Sequence, residues 1–240
     1  MSTSTDLKAS PLRLTGTLQA GLSRWLWLAK MLLAIPHFVI LAALWLWFIA
    51  TTPIAGIAIL ATGRYPRRLF EINTGILRWN WRVGFYVYAA LGTDDYPPFT
   101  ARRTSYPATL EIEYADRLSR PAVLVKALLA LPQIAIVALL GADIFLYPIP
   151  ALNELSTGPL PLGGYSILNL LVVVAGFLLL VTGRYPTGYF DFLVGISRWM
   201  YRVLIYLALM TDEYPPFRLD AGGDEPDHAT SLPAAASRTA

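Results

Sequence analysis

The sequence has no cysteine and only two histidines. The first absence excludes disulfides, thiolate metal sites and thiol nucleophiles. With no paired His and no Gly-rich phosphate loop either, neither a catalytic triad nor a nucleotide site can be assembled by motif. Charge is also scarce. Of 240 residues 15% are charged and 55% hydrophobic, and the mean hydropathy is +0.50, a balance that belongs to membrane proteins rather than to soluble domains of this length. The net charge is +3, and the basic residues sit beside apolar segments rather than in a Lys/Arg run. That distribution excludes nucleic acid as a partner and points to anionic lipid headgroups.

What the chain does have is long apolar stretches. The first, residues 25–62, is broken only by Lys30 and His37 and is too long for one simple crossing of a hydrocarbon core about 30 Å thick. Similar stretches recur at 122–140 and 167–182, so the first is not read as a cleaved signal peptide, despite Arg13 and Arg24 before it.

The chain also repeats itself. Thr62-Gly-Arg-Tyr-Pro, Phe70-Glu71, Gly75-Ile76, Arg78-Trp79, Arg82-Val83 and Tyr86 return 120 residues later as Thr182-Gly-Arg-Tyr-Pro, Phe190-Asp191, Gly195-Ile196, Arg198-Trp199, Arg202-Val203 and Tyr206. Both copies close on one phrase, Thr93-Asp94-Asp95-Tyr96-Pro97-Pro98-Phe99 and Thr211-Asp212-Glu213-Tyr214-Pro215-Pro216-Phe217. Upstream, Leu22-Ser23-Arg24, Lys30, Leu32-Leu33-Ala34 and Pro36 match Leu118-Ser119-Arg120, Lys126, Leu128-Leu129-Ala130 and Pro132 at an offset of 96. The difference in offset assigns the second copy an inserted Pro/Gly-rich loop at 141–164. The repeats therefore cover 11–100 and 108–220 with a linker at 101–107. Residues 1–10 and the Ala/Gly/Pro/Ser-rich tail 221–240 are expected to be disordered.

These blocks, in this order and twice over, resemble the bacterial domain-of-unknown-function family 4389. The resemblance implies a bacterial membrane protein and no activity, so it transfers no catalytic residue.

The expected fold is an all-α integral membrane protein of two tandem repeats. Each is a transmembrane helical hairpin plus an interfacial or third membrane helix, with short juxtamembrane extended segments at 11–15 and 110–114 that pair with the Tyr-Pro-Pro-Phe ends. In copy one the hairpin consists of helices at 24–41 and 44–62. Positive flanks, among them Arg24, Lys30, Arg64, Arg67, Arg68, Arg117, Arg120 and Arg184, place that side and both termini in the cytoplasm of a multi-pass inner-membrane protein. The same bias favours third segments (69–91 and 189–210) that lie in the interface, giving four spans and copies of one orientation. Six spans with an inverted second copy is the rival.

On a helix, Glu71, Gly75, Arg78 and Arg82 fall on one stripe, as do Asp191, Gly195, Arg198 and Arg202. One reading has these arginines snorkel or pair with the acids Glu71 and Asp191. Another makes Arg64, Arg78 and Arg82, with Arg184, Arg198 and Arg202, a lipid-phosphate or anion site, because planar bidentate donors suit phosphate. The adjacent carboxylates Asp94, Asp95, Asp212 and Glu213 supply too few convergent oxygens for a metal. No catalytic residue, metal or cofactor is therefore assigned. The leading function is a non-enzymatic membrane scaffold or accessory subunit contacting lipid headgroups or a membrane protein partner. A channel or transporter using the charged stripe is the alternative, and a lipid-modifying enzyme comes third.

Overall fold

The computed structural model describes residues 10–140, 167–220 and 222. The expected loop at 141–164 lies outside these residues, as do the first nine residues and nearly all of the tail. The described chain is mostly helical: β1 (Leu12–Gly16), α1 (Leu26–Leu33), α2 (Ile35–Thr62), α3 (Arg67–Val87), β2 (Ala108–Ile112), α4 (Arg120–Leu129), α5 (Leu131–Leu140), α6 (Ile167–Thr182) and α7 (Thr187–Leu207).

The first helical break falls at Ala34, not at the expected turn near 41–44. Pro36 explains the position, since a residue without an N–H and with fixed φ belongs in the first turn of a helix. Copy two breaks in the same place: Pro132 opens α5, and α4 and α5 are set at 48°. After Pro36 in its first turn the chain meets no Gly or Pro until Pro53, and α2 continues past that proline to 28 residues in all, a length of about 42 Å. Pro53 removes one backbone donor inside it. Nearby, Thr51 and Thr52 turn their hydroxyls onto the carbonyls of Trp47 and Phe48, at 2.9 and 2.8 Å. Among the described residues α2 is the one helix that alone is long and apolar enough to cross a membrane.

Thr-Gly-Arg-Tyr-Pro ends α2 and α6 in the same way. Gly63 and Gly183 adopt φ of 72° and 66°, and their N–H groups reach back to Ile59 and Leu179. The chain then reverses, and α3 returns along α2 with Asn73 against Thr51 at 3.3 Å and Asn80 against Trp45 at 3.1 Å. The helical hairpin of copy one is thus α2 with α3, instead of two halves of the first apolar stretch.

The two short extended segments form strands, but they pair with each other and not with the Tyr-Pro-Pro-Phe segments. The ribbon is antiparallel with Leu12 opposite Ile112 and Leu14 opposite Leu110. Leu14 and Leu110 are equivalent positions of the repeat, so a local two-fold axis passes between them, perpendicular to the ribbon. Strand pairing of this kind is satisfied only when both copies are present.

Glycines set the closest approaches between copies. Gly56 of α2 lies against Val123 of α4 and against Leu209, and Gly176 of α6 lies against the Trp27 ring of α1. A Cβ at Gly176 would stand 2.7 Å from that indole. Gly176→Ala should therefore destabilise by about 1–3 kcal/mol through overpacking. Gly188→Ala, where a Cβ meets nothing within 4 Å, should be neutral or slightly stabilising. Thermal unfolding of the two variants in detergent checks the contrast, and equal midpoints would refute it.

Candidate functional site

The arginine stripe faces inward onto backbone. Arg78 of α3 donates from Nε to the Leu110 carbonyl at 3.0 Å and from Nη1 to the Ala101 carbonyl at 3.1 Å. Arg198 of α7 makes the equivalent bond to the other strand, Nε to the Leu14 carbonyl at 3.0 Å, and also holds the carbonyls of Asp220 and, at 2.9 Å, Gly222. Each third helix thus grips the strand of the opposite copy. Arg82 donates to Thr104 Oγ1 at 2.7 Å and to the carbonyls of Thr100 and Arg102, while Arg202 pairs with Asp220 at 2.7 Å. A rigid fork of five N–H donors suits such carbonyl arrays as well as it suits phosphate.

The acids of the stripe do not hold these arginines. Glu71 pairs at 3.4 Å with Arg67 on the exposed surface, and the carboxylate beside Arg78 is Glu111 of the second copy, at 3.5 Å. The Asp191 carbonyl accepts from the Gly222 N–H at 3.3 Å. Arg64 does not converge with Arg78 and Arg82 either, since it precedes α3 while they sit roughly three and four turns along it. Arg64 and Arg184 are both exposed. Around Arg64, the Leu118 N–H bonds to the Gly63 carbonyl at 2.9 Å, which brings exposed Arg117 and Arg120 to the same turn, and Gly183 sits against the Arg24 guanidinium.

A second pair of charged sites, one in each copy, was not foreseen. Lys30, 1% exposed, donates to the Thr93 carbonyl at 2.7 Å and pairs with Asp94 at 2.9 Å, with its ammonium 5.1 Å from the Tyr86 ring. Lys126 does the same with Thr211, Asp212 and Tyr206, at 2.7, 2.7 and 5.3 Å. The second oxygen of each aspartate accepts a backbone N–H, from Ser23 and Ser119, at 2.6 Å. Of the acids before Tyr-Pro-Pro-Phe, Asp94 and Asp212 are therefore each the partner of a buried lysine. The signal lay in the repeat, where a lysine inside an apolar helix and an aspartate before Tyr-Pro-Pro-Phe, 64 residues further on in copy one, recur in copy two at a separation of 86.

One buried amide joins the two copies. Asn80 accepts from Trp45 Nε1 at 3.1 Å and donates to the Tyr201 hydroxyl of α7 at 2.8 Å. His37 accepts from Trp79 Nε1 at 3.1 Å and stacks on Phe99 with centroids 3.9 Å apart. Its counterpart Gln133 donates to the Pro215 carbonyl at 2.8 Å. Among the described residues no three His, Asp or Glu side chains converge as metal ligands would.

One family model, that of a domain of unknown function (DUF4389), matches residues 24–101 and 165–218, one segment in each copy. No curated protein and no solved structure matches the chain.

Proposed function

Because the chain belongs to the DUF4389 family, whose description carries no activity, we propose its function from its own surfaces: it is a non-enzymatic integral membrane scaffold or accessory subunit. In this reading it lies in the inner membrane and holds anionic headgroups, or a partner membrane protein, at an arginine rim. The observation that carries the reading is where the exposed apolar side chains fall. Leu32, Val39, Ile57, Leu124, Leu128 and Leu170, each more than 60% exposed, all belong to α1, α2, α4 and α6. The amphipathic α3 and α7 instead hold the buried Asn, Arg and Tyr side chains. Apolar surface turned outward around a polar interior suits lipid as solvent.

Two further features support the reading. The local two-fold perpendicular to the ribbon gives both copies one orientation when the ribbon lies parallel to the bilayer, which agrees with the charge bias of their flanks. Arg24, Arg64, Arg117, Arg120 and Arg184 stand exposed at the helix ends, where headgroup phosphates lie. A channel through the stripe has less support, since Arg78, Arg82 and Arg198 direct donors at backbone carbonyls.

Native mass spectrometry after extraction in a mild detergent tests the proposal. Bound anionic phospholipid is expected, and Arg64→Ala with Arg184→Ala should lower its occupancy several-fold without unfolding the protein. A chain that stays soluble without detergent and carries neither lipid nor partner would sink the proposal.

A further inference from the structure

One face of α3 carries Arg67, Glu71, Thr74 and Arg78 at helical spacing, and this face opens into a cleft of about 410 Å³. Arg103, Glu111 and Tyr114 close its other side. Thr74 forms the floor. It is 6% exposed, and its hydroxyl has no hydrogen-bond partner, which is costly for a buried donor unless something in the cleft accepts from it. Arg78 stands beside it, well buried, whereas Arg67 and Arg103 are mostly exposed and free to close over an occupant. The Arg67 guanidinium already rests over the Tyr114 ring at 5.0 Å.

The repeat supplies an internal comparison. The copy-two counterparts of Arg67, Thr74, Glu111 and Tyr114 are Thr187, Val194, Thr15 and Leu18, while Arg78 keeps its counterpart Arg198. The strand-gripping arginine and the acid of the stripe (Glu71, Asp191) are thus present in both copies, while the Thr74 hydroxyl and the charges of Arg67 and Glu111 are present in one. Packing alone does not call for that difference.

We propose that this cleft binds a single phosphodiester monoanion, with Thr74 Oγ1 and Arg78 donating from the floor and Arg67 and Arg103 from the rim. Three guanidinium groups face two carboxylates, so the lining is positive by one charge. Arg13 stands opposite Glu111 across the ribbon, in place to pair with that carboxylate when Arg103 and the Arg78 Nη2 move to the ligand, while Arg78 Nε and Nη1 keep the Leu110 and Ala101 carbonyls. Glu71 and Glu111 repel a second negative charge, which selects a diester over a phosphate dianion. The inference deepens the membrane reading above and rests on it for the source of the diester, a phospholipid headgroup.

Isothermal titration of the detergent-purified full chain with dihexanoyl phosphatidylglycerol, glycerophosphoglycerol and inorganic phosphate at pH 8 tests it. Both diesters should bind at one site and inorganic phosphate about tenfold more weakly. Thr74→Val and Arg67→Thr, each copying the other repeat, should weaken the diesters by about tenfold without lowering the unfolding midpoint. Binding of the lipid but not the soluble diester assigns the membrane as the source and retains the site. Variants that bind the diesters as the wild type does, or a dianion bound as tightly as the diesters, overturn it. If Arg64→Ala and Arg184→Ala lower retained lipid while Thr74→Val does not change diester binding, this inference fails and the rim reading stands. A wild type that retains no lipid yet binds glycerophosphoglycerol through Thr74 reverses that outcome.

Discussion

Arg198→Ala should unfold the protein under conditions that leave Arg184→Ala folded. Arg198 is wholly buried and donates to three carbonyls on two separate segments, Leu14 of β1 and the stretch around Asp220 and Gly222. Truncation removes those donors and opens a cavity the size of the side chain. Buried polar groups left without partners cost about 1–3 kcal/mol each. The total, about 3–5 kcal/mol, is a large share of the stability of any single domain. Arg198→Lys keeps the charge but not the planar fork, so it should recover only part of the loss. Arg184 is exposed and its replacement removes no such network. Thermal or denaturant unfolding in detergent decides the matter, and an Arg198→Ala midpoint within a few degrees of wild type would show that the carbonyl grip does not hold the ribbon.

Lys30→Met should be nearly as damaging, and Asp94→Asn should restore much of what it loses. The ammonium is almost fully buried, while the Asp94 side chain is 18% exposed and also accepts from the Ser23 N–H. Removing one member of such a pair strands a charge away from water, at a cost of about 3–5 kcal/mol, whereas replacing both often costs little. The double variant should therefore fall well short of the sum of the single ones. The corresponding cycle at Lys126 and Asp212 should show weaker coupling, because the Asp212 side chain is 34% exposed and solvent screens it more. A Lys30/Asp94 cycle that is additive would mean the two charges act independently.

The sequence was most legible where local chemistry decides. The glycine of each Thr-Gly-Arg-Tyr-Pro element, Gly63 and Gly183, ends its helix in the left-handed conformation that glycine favours, and the third segments run within a few residues of their expected bounds. It was misread where a distant partner decides. Nothing within 11–15 says that its strand will meet 108–112 rather than the proline segments, because an alternating pattern names a face and not a neighbour. The stripe of Arg78 and Arg82 was visible as geometry, yet its acceptors are carbonyls, which every residue has and no motif reveals. Residues 38–52 offered no breaker, so the overlong stretch breaks at Pro36 and the chain reverses only after Gly63. The exits of α3 and α7 through Leu91 and Leu209, at φ of 51° and 62°, had no glycine to announce them.

Because Arg78 grips the Leu110 carbonyl and Arg198 the Leu14 carbonyl, neither half of the chain is self-sufficient. A polypeptide with a single copy would leave its strand edge and its guanidinium unmet until a second molecule arrived. It would be a symmetric dimer at high concentration and incomplete at low. The covalent connection removes that dependence on concentration, since it makes assembly of the two halves an intramolecular event. It also frees each half to change independently, as the cleft lined by Arg67 and Thr74 has done.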